Sequence, residues 1–201
     1  MMVELGSMDV MRILSKATRV IAEGEVLQLS KIRDASTSEA TYMEVIRGKT
    51  AMLFEASTHS AAVLAGASAE HAEALRTYGD NLGIAFQLVD DLLDYRGDAE
   101  TLGKNVGDDL AEGKVTLPLI IAQRRGSPEQ VALLRSAIRN GEREALPGVI
   151  AAIRETDALD ESLACAREYA QAARDELQLL PATPQRDALH DLAEYSVSRI
   201  H

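Results

Sequence analysis

The sequence contains little of several residue types, and each shortage narrows the kind of protein that it can encode. Cys165 is the single cysteine, so no intrachain disulfide and no cluster of thiolate metal ligands can form. Tryptophan is absent, and aromatic residues make up 3% of the chain. Alanine and leucine are abundant and clusters of β-branched residues are few, which favours an all-α protein. A length of 201 residues suits one sizeable core, so we expect a single domain over 1–201.

Basic charge and long apolar runs are also scarce. The formal net charge is −11 at pH 7, which argues against nucleic acid or an anionic membrane as a general partner. The same acidity also favours solubility without any specific partner. No stretch approaches the roughly 18 apolar residues of a transmembrane helix, and no signal peptide is recognised. Together with the lone cysteine, these features indicate a cytoplasmic protein without a transmembrane segment.

Signals for the start and the end of helices recur along the chain. Ser68, Ser127 and Thr183 suit helix N-caps, and Ser36 with Glu39 has the pattern of a capping box. No segment shows the sustained alternation of a β-strand. The predicted helices cover residues 8–29, 36–66, 68–97, 117–125, 128–139, 145–156, 158–180 and 184–199.

The segment FQLVDDLLDY, residues 86–95, places three aspartates among large apolar residues. On a helix, the three aspartates would share one face with Gln87. They lie three, four and seven positions after it, at Asp90, Asp91 and Asp94. The apolar arc is too wide for an ordinary surface helix, so we expect the acidic face to line a cavity. Repulsion among the carboxylates calls for a cation, and oxygen-only ligands favour Mg²⁺. For so short a motif, a solvated run of charge stays open as the alternative.

Three of the five lysines directly follow a glycine, namely Lys49, Lys104 and Lys114. A lysine ammonium suits phosphate, and the adjacent glycine lets the backbone come close. The last two lie in residues 97–114, a polar, glycine-rich stretch that we predict to be an irregular loop and that also carries the pair Asp108-Asp109. Each glycine-lysine pair alone is more often a helix end or a turn. In combination, carboxylates for a metal and lysines for phosphate indicate a diphosphate site.

Other chemistries have less support in the sequence. The four histidines are scattered, and no two of them have metal-ligand spacing. The sequence has no P-loop, no dinucleotide-binding fingerprint and no nucleophile elbow. A metal-dependent diphosphate hydrolase is an alternative, but it would want a general base beside the metal, and no histidine is placed for that role.

The segment FQLVDDLLDY and the following LGKNVGDDLAEGKVTLPLI closely resemble the second aspartate-rich region of trans-polyprenyl diphosphate synthases. GEVLQL at 24–29 and GKTAMLFEAS at 48–57 match that family in the same order. The likeness extends over the whole chain and looks closest to bacterial octaprenyl-type enzymes, which supply quinone side chains. The resemblance implies an isoprenoid-synthase-type helical bundle around a deep cavity. It also implies a Mg²⁺ cofactor and two substrates, an allylic prenyl diphosphate and isopentenyl diphosphate.

The resemblance assigns a metal-binding role to four aspartates. It implies that Asp90 and Asp94 are Mg²⁺ ligands and that Asp91 supports them. Asp108 would act through metal-bound water. In this family the metal helps an allylic diphosphate to ionise before the double bond of isopentenyl diphosphate attacks the carbocation.

The resemblance also assigns roles to residues that meet the substrate. Lys49 and Lys104 would hold the departing diphosphate, and Lys114 would contribute to the same positive charge. Thr50 and Gln87 would lie near the reacting carbon, where the carbocation develops and a proton leaves. Stabilisation of the leaving group by fixed cations is the main catalytic effect that this arrangement implies.

The chain departs from the family pattern at its first aspartate-rich motif. That motif precedes the matched region in the family, whereas the only adjacent aspartate pairs here are Asp90-Asp91 and Asp108-Asp109. We therefore expect a C-terminal portion of a longer synthase, with little turnover by itself. Uncovered apolar faces would favour a homodimer. The alternative of another class is a non-catalytic partner subunit of a heteromeric synthase, which would have no need of these aspartates and lysines.

Overall fold

The computed structural model describes residue 4, residues 6–96 and residues 107–199. Within these ranges the chain forms ten α-helices and no β-strand, which confirms the all-α prediction. The helices are α1 (Met8–Ser30), α2 (Glu39–Ile46), α3 (Met52–Leu64), α4 (Ala69–Arg96), α5 (Asp108–Glu112), α6 (Leu117–Arg125), α7 (Pro128–Asn140), α8 (Leu146–Glu155), α9 (Ala158–Glu176) and α10 (Pro184–Ser198). A π-helical segment, Arg47–Ala51, joins α2 to α3, and short 3-10 turns lie at Arg143–Ala145 and Leu177–Leu179.

The N-caps predicted before three of these helices are present. Ser68 Oγ accepts a hydrogen bond from the backbone of His71 at 3.2 Å, and Thr183 Oγ1 accepts one from Arg186 at 3.2 Å. Ser127 forms a complete capping box with its partner three residues later, at the start of α7. A side-chain oxygen at this position satisfies an amide that the helix itself cannot satisfy.

The capping box predicted at Ser36 is wrong. The backbone amide and the hydroxyl of Ser36 both donate to Asp34 Oδ1, the amide at 3.0 Å, so this side chain belongs to the preceding turn. Ser38 takes the capping position instead, and its hydroxyl accepts a hydrogen bond from the amide of Thr41 at 3.1 Å. The cap of the helix predicted over 36–66 therefore lies two residues later than expected.

The stretch predicted as an irregular loop over 97–114 is partly helical. Residues 97–106 lie outside the described part of the chain. Beyond them, α5 is flanked by Gly107 and Gly113, which adopt left-handed backbone conformations with φ of 83° and 79°. Glycine adopts this conformation without steric cost. The glycines that suggested a loop therefore mark the two ends of a short helix.

The chain divides into two compact units, and the expectation of a single domain stays a prediction. Unit 1 consists of Met1–Glu25, Ile46–Gln87 and Ala166–His201. Its core contains one cluster formed by Tyr78, Leu82, Ala173, Leu177 and Ala193, and a second formed by Ala17, Met52 and Ala56. The hydroxyl of the buried Tyr78 donates to the carbonyl oxygen of Leu189 at 2.7 Å, so this polar group is hydrogen-bonded within the core.

Unit 2 consists of Val26–Val45 and Leu88–Cys165. Its core is made of leucine and isoleucine side chains that are less than 2% exposed, namely Leu88, Leu92, Leu110, Leu117, Leu119, Ile121, Leu134, Ile138 and Ile153. The backbone amide of Arg33 donates to the carbonyl oxygen of Gly113 at 2.8 Å, which ties the segment after α1 to the end of α5.

None of the helices in the described ranges is both long enough and apolar enough to cross a membrane.

Candidate functional site

In unit 1, Lys49 and Thr50 lie on the π-helical segment Arg47–Ala51. The amide of Met52 donates to the carbonyl oxygen of Arg47, five residues earlier, rather than four as in an α-helix. Segments of this kind are rare and are frequently found at functional sites. The sequence motif GKT gave no sign of this local geometry.

Close packing of glycines places α1 against this segment. A Cβ atom on Gly24 would lie 2.7 Å from the backbone nitrogen of Lys49 and 2.9 Å from the carbonyl carbon of Gly48. Real Cβ atoms do not come this close to backbone, so only glycine permits the approach. Gly24, the first residue of the GEVLQL motif, and the GKT motif are therefore adjacent in unit 1 although they are separate in the sequence.

A second glycine contact brings α4 to the same segment. A Cβ atom on Gly83 would lie 2.5 Å from Ala51 Cα. One turn further along α4, Gln87 Oε1 accepts a hydrogen bond of 2.8 Å from the hydroxyl of Thr50. The sequence resemblance predicted that Thr50 and Gln87 serve the same reacting carbon, and the structure brings the two side chains into direct contact.

Lys49 is paired with a carboxylate that the sequence did not single out. Its Nζ lies 2.6 Å from Oε2 of Glu25 on α1, and the two side chains are 36% and 44% exposed. Because an exposed ion pair contributes about 0–1 kcal/mol, the pairing of Lys49 with Glu25 adds little to stability. The only sequence signal for Glu25 is its place directly after Gly24 in the GEVLQL motif.

In unit 2, Asp91 is 6% exposed and Tyr42 is 4% exposed. The hydroxyl of Tyr42 donates to Asp91 Oδ2 at 2.6 Å. Burial raises the pKa of Tyr42 well above its ordinary value, and the charge of Asp91 and their hydrogen bond raise it further. Tyr42 therefore stays protonated and acts as a donor. This contact suits a supporting role for Asp91, and sequence reasoning missed Tyr42 because it lies 49 residues earlier.

Asp94 accepts hydrogen bonds from two consecutive backbone amides at the start of α5. The amide of Asp108 donates to Oδ1 and the amide of Asp109 to Oδ2, each at 3.1 Å. Burial raises the pKa of Asp94 to about 6, and the charges of Asp109 and Asp108 add to this effect while the two hydrogen bonds oppose it. Asp94 and Asp108, both predicted to serve the metal, are thus brought together.

The carboxylates of α5 are themselves paired with basic side chains. Arg143 forms an ion pair with Asp108. Lys114 Nζ lies 2.9 Å from Asp109 Oδ1 and 2.8 Å from Glu112 Oε2. Burial alone would lower the pKa of Lys114, but the hydrogen bonds to the two carboxylates outweigh it and raise the pKa. The structure therefore shows Lys114 engaged with carboxylates, and its predicted role towards diphosphate stays a prediction.

The remaining predicted residues are Lys104 and Asp90. Lys104 lies outside the described part of the chain. Asp90 lies on α4, one turn before Asp94. The predicted metal ligands are all carboxylates, the donor type that Mg²⁺ prefers. Among residues 6–96 and 107–199, no three His, Cys, Asp or Glu side chains are grouped to hold a metal ion by themselves. This donor set fits Mg²⁺, which commonly takes one or two carboxylates and completes its shell with water and phosphate.

Comparison with known proteins identifies the family. The sequence profile of the family described as Polyprenyl synthetase matches residues 1–155. The octaprenyl diphosphate synthase of Haemophilus influenzae is 50% identical over 197 residues, which cover 98% of this chain and 60% of the relative. The chain thus spans about 60% of the length of this relative.

Two solved structures have the same fold. The decaprenyl diphosphate synthase from Rhodobacter capsulatus superposes with a TM-score of 0.93 at 42% identity, covering 100% of this chain and 62% of that one. A polyprenyl synthase from Caulobacter crescentus, complexed with calcium and isoprenyl diphosphate, gives a TM-score of 0.93 at 48% identity with the same coverage. The resemblance drawn from the aspartate and glycine-lysine motifs is confirmed, and the chain belongs to the polyprenyl synthetase family.

Proposed function

We propose that this protein extends an allylic prenyl diphosphate with isopentenyl diphosphate, and that the product is a long-chain prenyl diphosphate for a quinone side chain. The observation that carries the proposal is the polar group in unit 1, where Lys49 and Thr50 share a π-helical segment and Thr50 bonds to Gln87. Two glycine contacts hold these residues together. Such packing at a polar group is expected where side chains must be held for chemistry.

In this mechanism, Lys49 binds the diphosphate that leaves and Glu25 gives way to it. Lys104 and Lys114 add positive charge for the same group. Thr50 and Gln87 form a fixed pair of dipoles for the carbon that becomes positively charged, and the hydroxyl of Thr50 keeps the amide oxygen of Gln87 oriented. Because these groups are held before the reaction, they need not reorganise as charge develops.

Four carboxylates would hold Mg²⁺, with Asp90 and Asp94 as ligands, Asp91 in support and Asp108 through water. Bound Mg²⁺ would supply positive charge that stabilises the departing diphosphate. Tyr42 holds the carboxylate of Asp91, and Asp94 holds the start of α5. The carboxylates of Asp91 and Asp94 are therefore oriented by hydrogen bonds from the protein.

The product length rests on similarity and not on a residue of this chain. Octaprenyl diphosphate is proposed because the relative from Haemophilus influenzae is 50% identical. The solved relative from Rhodobacter capsulatus is described as a decaprenyl diphosphate synthase, so chromatography of the product must decide the length. A cytoplasmic location is likewise a proposal. The partner-subunit alternative is not favoured, because the relatives that match along the whole chain are synthases.

We also propose that the protein forms a homodimer. Helix α1 leaves Met8 and Val26 each 66% exposed and Leu29 57% exposed. Exposed large apolar side chains favour association with another copy. Light scattering coupled to size exclusion would give twice the monomer mass, whereas a monomer at micromolar concentration would contradict the proposal.

The test of the substrate site compares two lysines with similar exposure. Lys49 is 36% exposed, and Lys31, which is paired with Asp34, is 37% exposed. In calorimetric titrations with farnesyl diphosphate and Mg²⁺, Lys49→Ala should weaken binding at least tenfold, because a charge-assisted contact to phosphate contributes about 1.5–3 kcal/mol. Lys31→Ala should leave binding unchanged. Equal effects of the two variants would refute the role of Lys49.

Turnover is measured separately from binding. The 201-residue chain is incubated with farnesyl diphosphate, labelled isopentenyl diphosphate and Mg²⁺, and the extracted prenyl products are counted. Little product is expected, since this sequence carries the second aspartate-rich motif without the first. Rapid product formation would contradict that expectation while supporting the proposed reaction.

A further inference from the structure

The carboxylate of Asp94 is engaged on both of its oxygens by the chain that follows the segment 97–106. Asp108 N donates to Oδ1 and Asp109 N to Oδ2, each at 3.1 Å. The amide of Gly107 donates to the carbonyl oxygen of Asp94 itself at 3.0 Å. Three consecutive amides, at positions 107, 108 and 109, therefore donate to one residue at the end of α4.

This arrangement matters because α5 is too short to be stable alone. A helix of five residues forms too few internal hydrogen bonds to offset the cost of nucleation, so it depends on contacts with other parts of the protein. Its own N-cap residue, Gly107, has no side chain to offer, and none of its amides is capped locally. Asp94 performs the capping from a different helix, with a full negative charge that favours the N-terminal end.

The surroundings of α5 restrict where it can dock. A Cβ atom on Gly107 would lie 2.6 Å from a methyl carbon of Leu146. Arg143 pairs with the side chain of Asp108, and Lys114 with that of Asp109. These ion pairs hold the side chains, whereas Asp94 holds the backbone on which both side chains depend.

We propose that Asp94 is a positioning residue, whose carboxylate caps the first two amides of α5 and so fixes the backbone from which Asp108 extends. We call these two hydrogen bonds from the amides of Asp108 and Asp109 to Asp94 the clasp. Each carboxylate oxygen of Asp94 keeps a second lone pair, so the clasp is compatible with a metal contact by the same residue. The contacts between Asp94 and the start of α5 are made by protein groups alone. The consequence for binding of Mg²⁺ and diphosphate, through the position of Asp108, rests on the proposed function.

The first test measures amide hydrogen exchange by NMR in the metal-free chain, in the presence of a chelator. Asp94→Asn removes the charge and half of the acceptor capacity, while Asp90→Asn makes the same change one turn earlier on the same helix. The amides of Asp108 and Asp109 should exchange roughly tenfold faster in Asp94→Asn and at unchanged rates in Asp90→Asn. Unchanged exchange in Asp94→Asn, or equal acceleration in both variants, would overturn the proposal.

A second measurement needs no substitution, which covers the case in which Asp94→Asn does not fold. In the unsubstituted chain labelled with ¹³C and ¹⁵N, scalar couplings across the hydrogen bonds should connect the amide nitrogens of Asp108 and Asp109 to the side-chain carboxyl carbon of Asp94. Couplings from these nitrogens to another acceptor would refute the clasp.

Metal binding then separates this inference from the proposed function. If both hold, Asp94→Asn weakens Mg²⁺-dependent binding of inorganic pyrophosphate at least tenfold, and part of that loss accompanies the faster exchange at Asp108. If exchange changes as expected but neither Asp94→Asn nor Asp90→Asn alters pyrophosphate binding, the clasp stands and the metal site of the proposed function fails. If pyrophosphate binding changes with no change in exchange, Asp94 acts as a metal ligand alone and the inference fails.

Discussion

Removal of the Tyr42 hydroxyl should destabilise the fold of unit 2. Asp91 is 6% exposed and Tyr42 is 4% exposed, so water can replace the lost donor only poorly. The hydrogen bond is short, at 2.6 Å, and its acceptor is a carboxylate. Hydrogen bonds to charged groups contribute about 1.5–3 kcal/mol to stability. Tyr42→Phe should therefore lower the free energy of unfolding by about 2 kcal/mol.

The assay is urea denaturation followed by circular dichroism in the presence of a chelator. Tyr195→Phe is the matched control, because Tyr195 is 64% exposed and loses the same hydroxyl. The control should change the unfolding free energy by less than about 0.5 kcal/mol. In a chain of this size, a loss of about 2 kcal/mol corresponds to a melting temperature about 4–8 °C lower.

A double-mutant cycle assigns the loss to the pair. Asp91→Asn alone and Tyr42→Phe alone should each destabilise, and the double variant should lose clearly less than the sum of the two. Indistinguishable stabilities of Tyr42→Phe and Tyr195→Phe would refute the assignment of a buried, charge-accepting hydrogen bond. Simple additivity in the cycle would mean that the two side chains do not interact.

Further outcomes are expected at the glycine contact and at the acidic cluster. Gly83→Ala should lower the unfolding free energy by about 1–3 kcal/mol, because the new Cβ would collide with the backbone of Ala51. Gly148→Ala is the control and should be close to neutral, because its Cβ would meet only the flexible end of a leucine side chain. Equal losses of stability in the two variants would contradict the close approach at Gly83. The pKa of Asp94 in the folded chain without metal should be about 6 against an ordinary 3.8. Protonation of Asp94 therefore stabilises the fold, fully below about pH 3.8, and this stabilisation is lost as the pH rises through about 6, while the two amide hydrogen bonds offset part of the cost of ionisation. Asp109→Asn should lower this pKa in a ¹³C NMR titration, and an unchanged value would rule out the charge of Asp109 as a cause.

The sequence predicted most of the helices because their end signals are local. Ser127 and Pro128 occupy the cap and first position of α7 as expected, and Thr183 caps α10. The cap at Ser36 was wrong because Asp34, two residues earlier, competes for the same hydroxyl and amide. A competition of this kind depends on turn geometry, which the order of residues does not reveal.

The candidate site was predicted where its residues form contiguous motifs. Lys49, Thr50 and the aspartates of α4 lie in such motifs, and the structure brings Thr50 into contact with Gln87, while their common role stays a prediction. Glu25 and Tyr42 could not be found in this way, since each acts through a partner on another helix. The position of Glu25 follows from the close approach at Gly24, and that of Tyr42 from its contact with Asp91 on α4.

We propose that the protein binds an allylic prenyl diphosphate with the help of a divalent cation. The most direct measurement is calorimetric titration of farnesyl diphosphate into the chain, with Mg²⁺ and with a chelator, and farnesol as the control that lacks the diphosphate. We expect binding with Mg²⁺, at least tenfold weaker binding with the chelator, and no comparable binding of farnesol. Equal affinity with and without Mg²⁺, or equal affinity for farnesol, would contradict it.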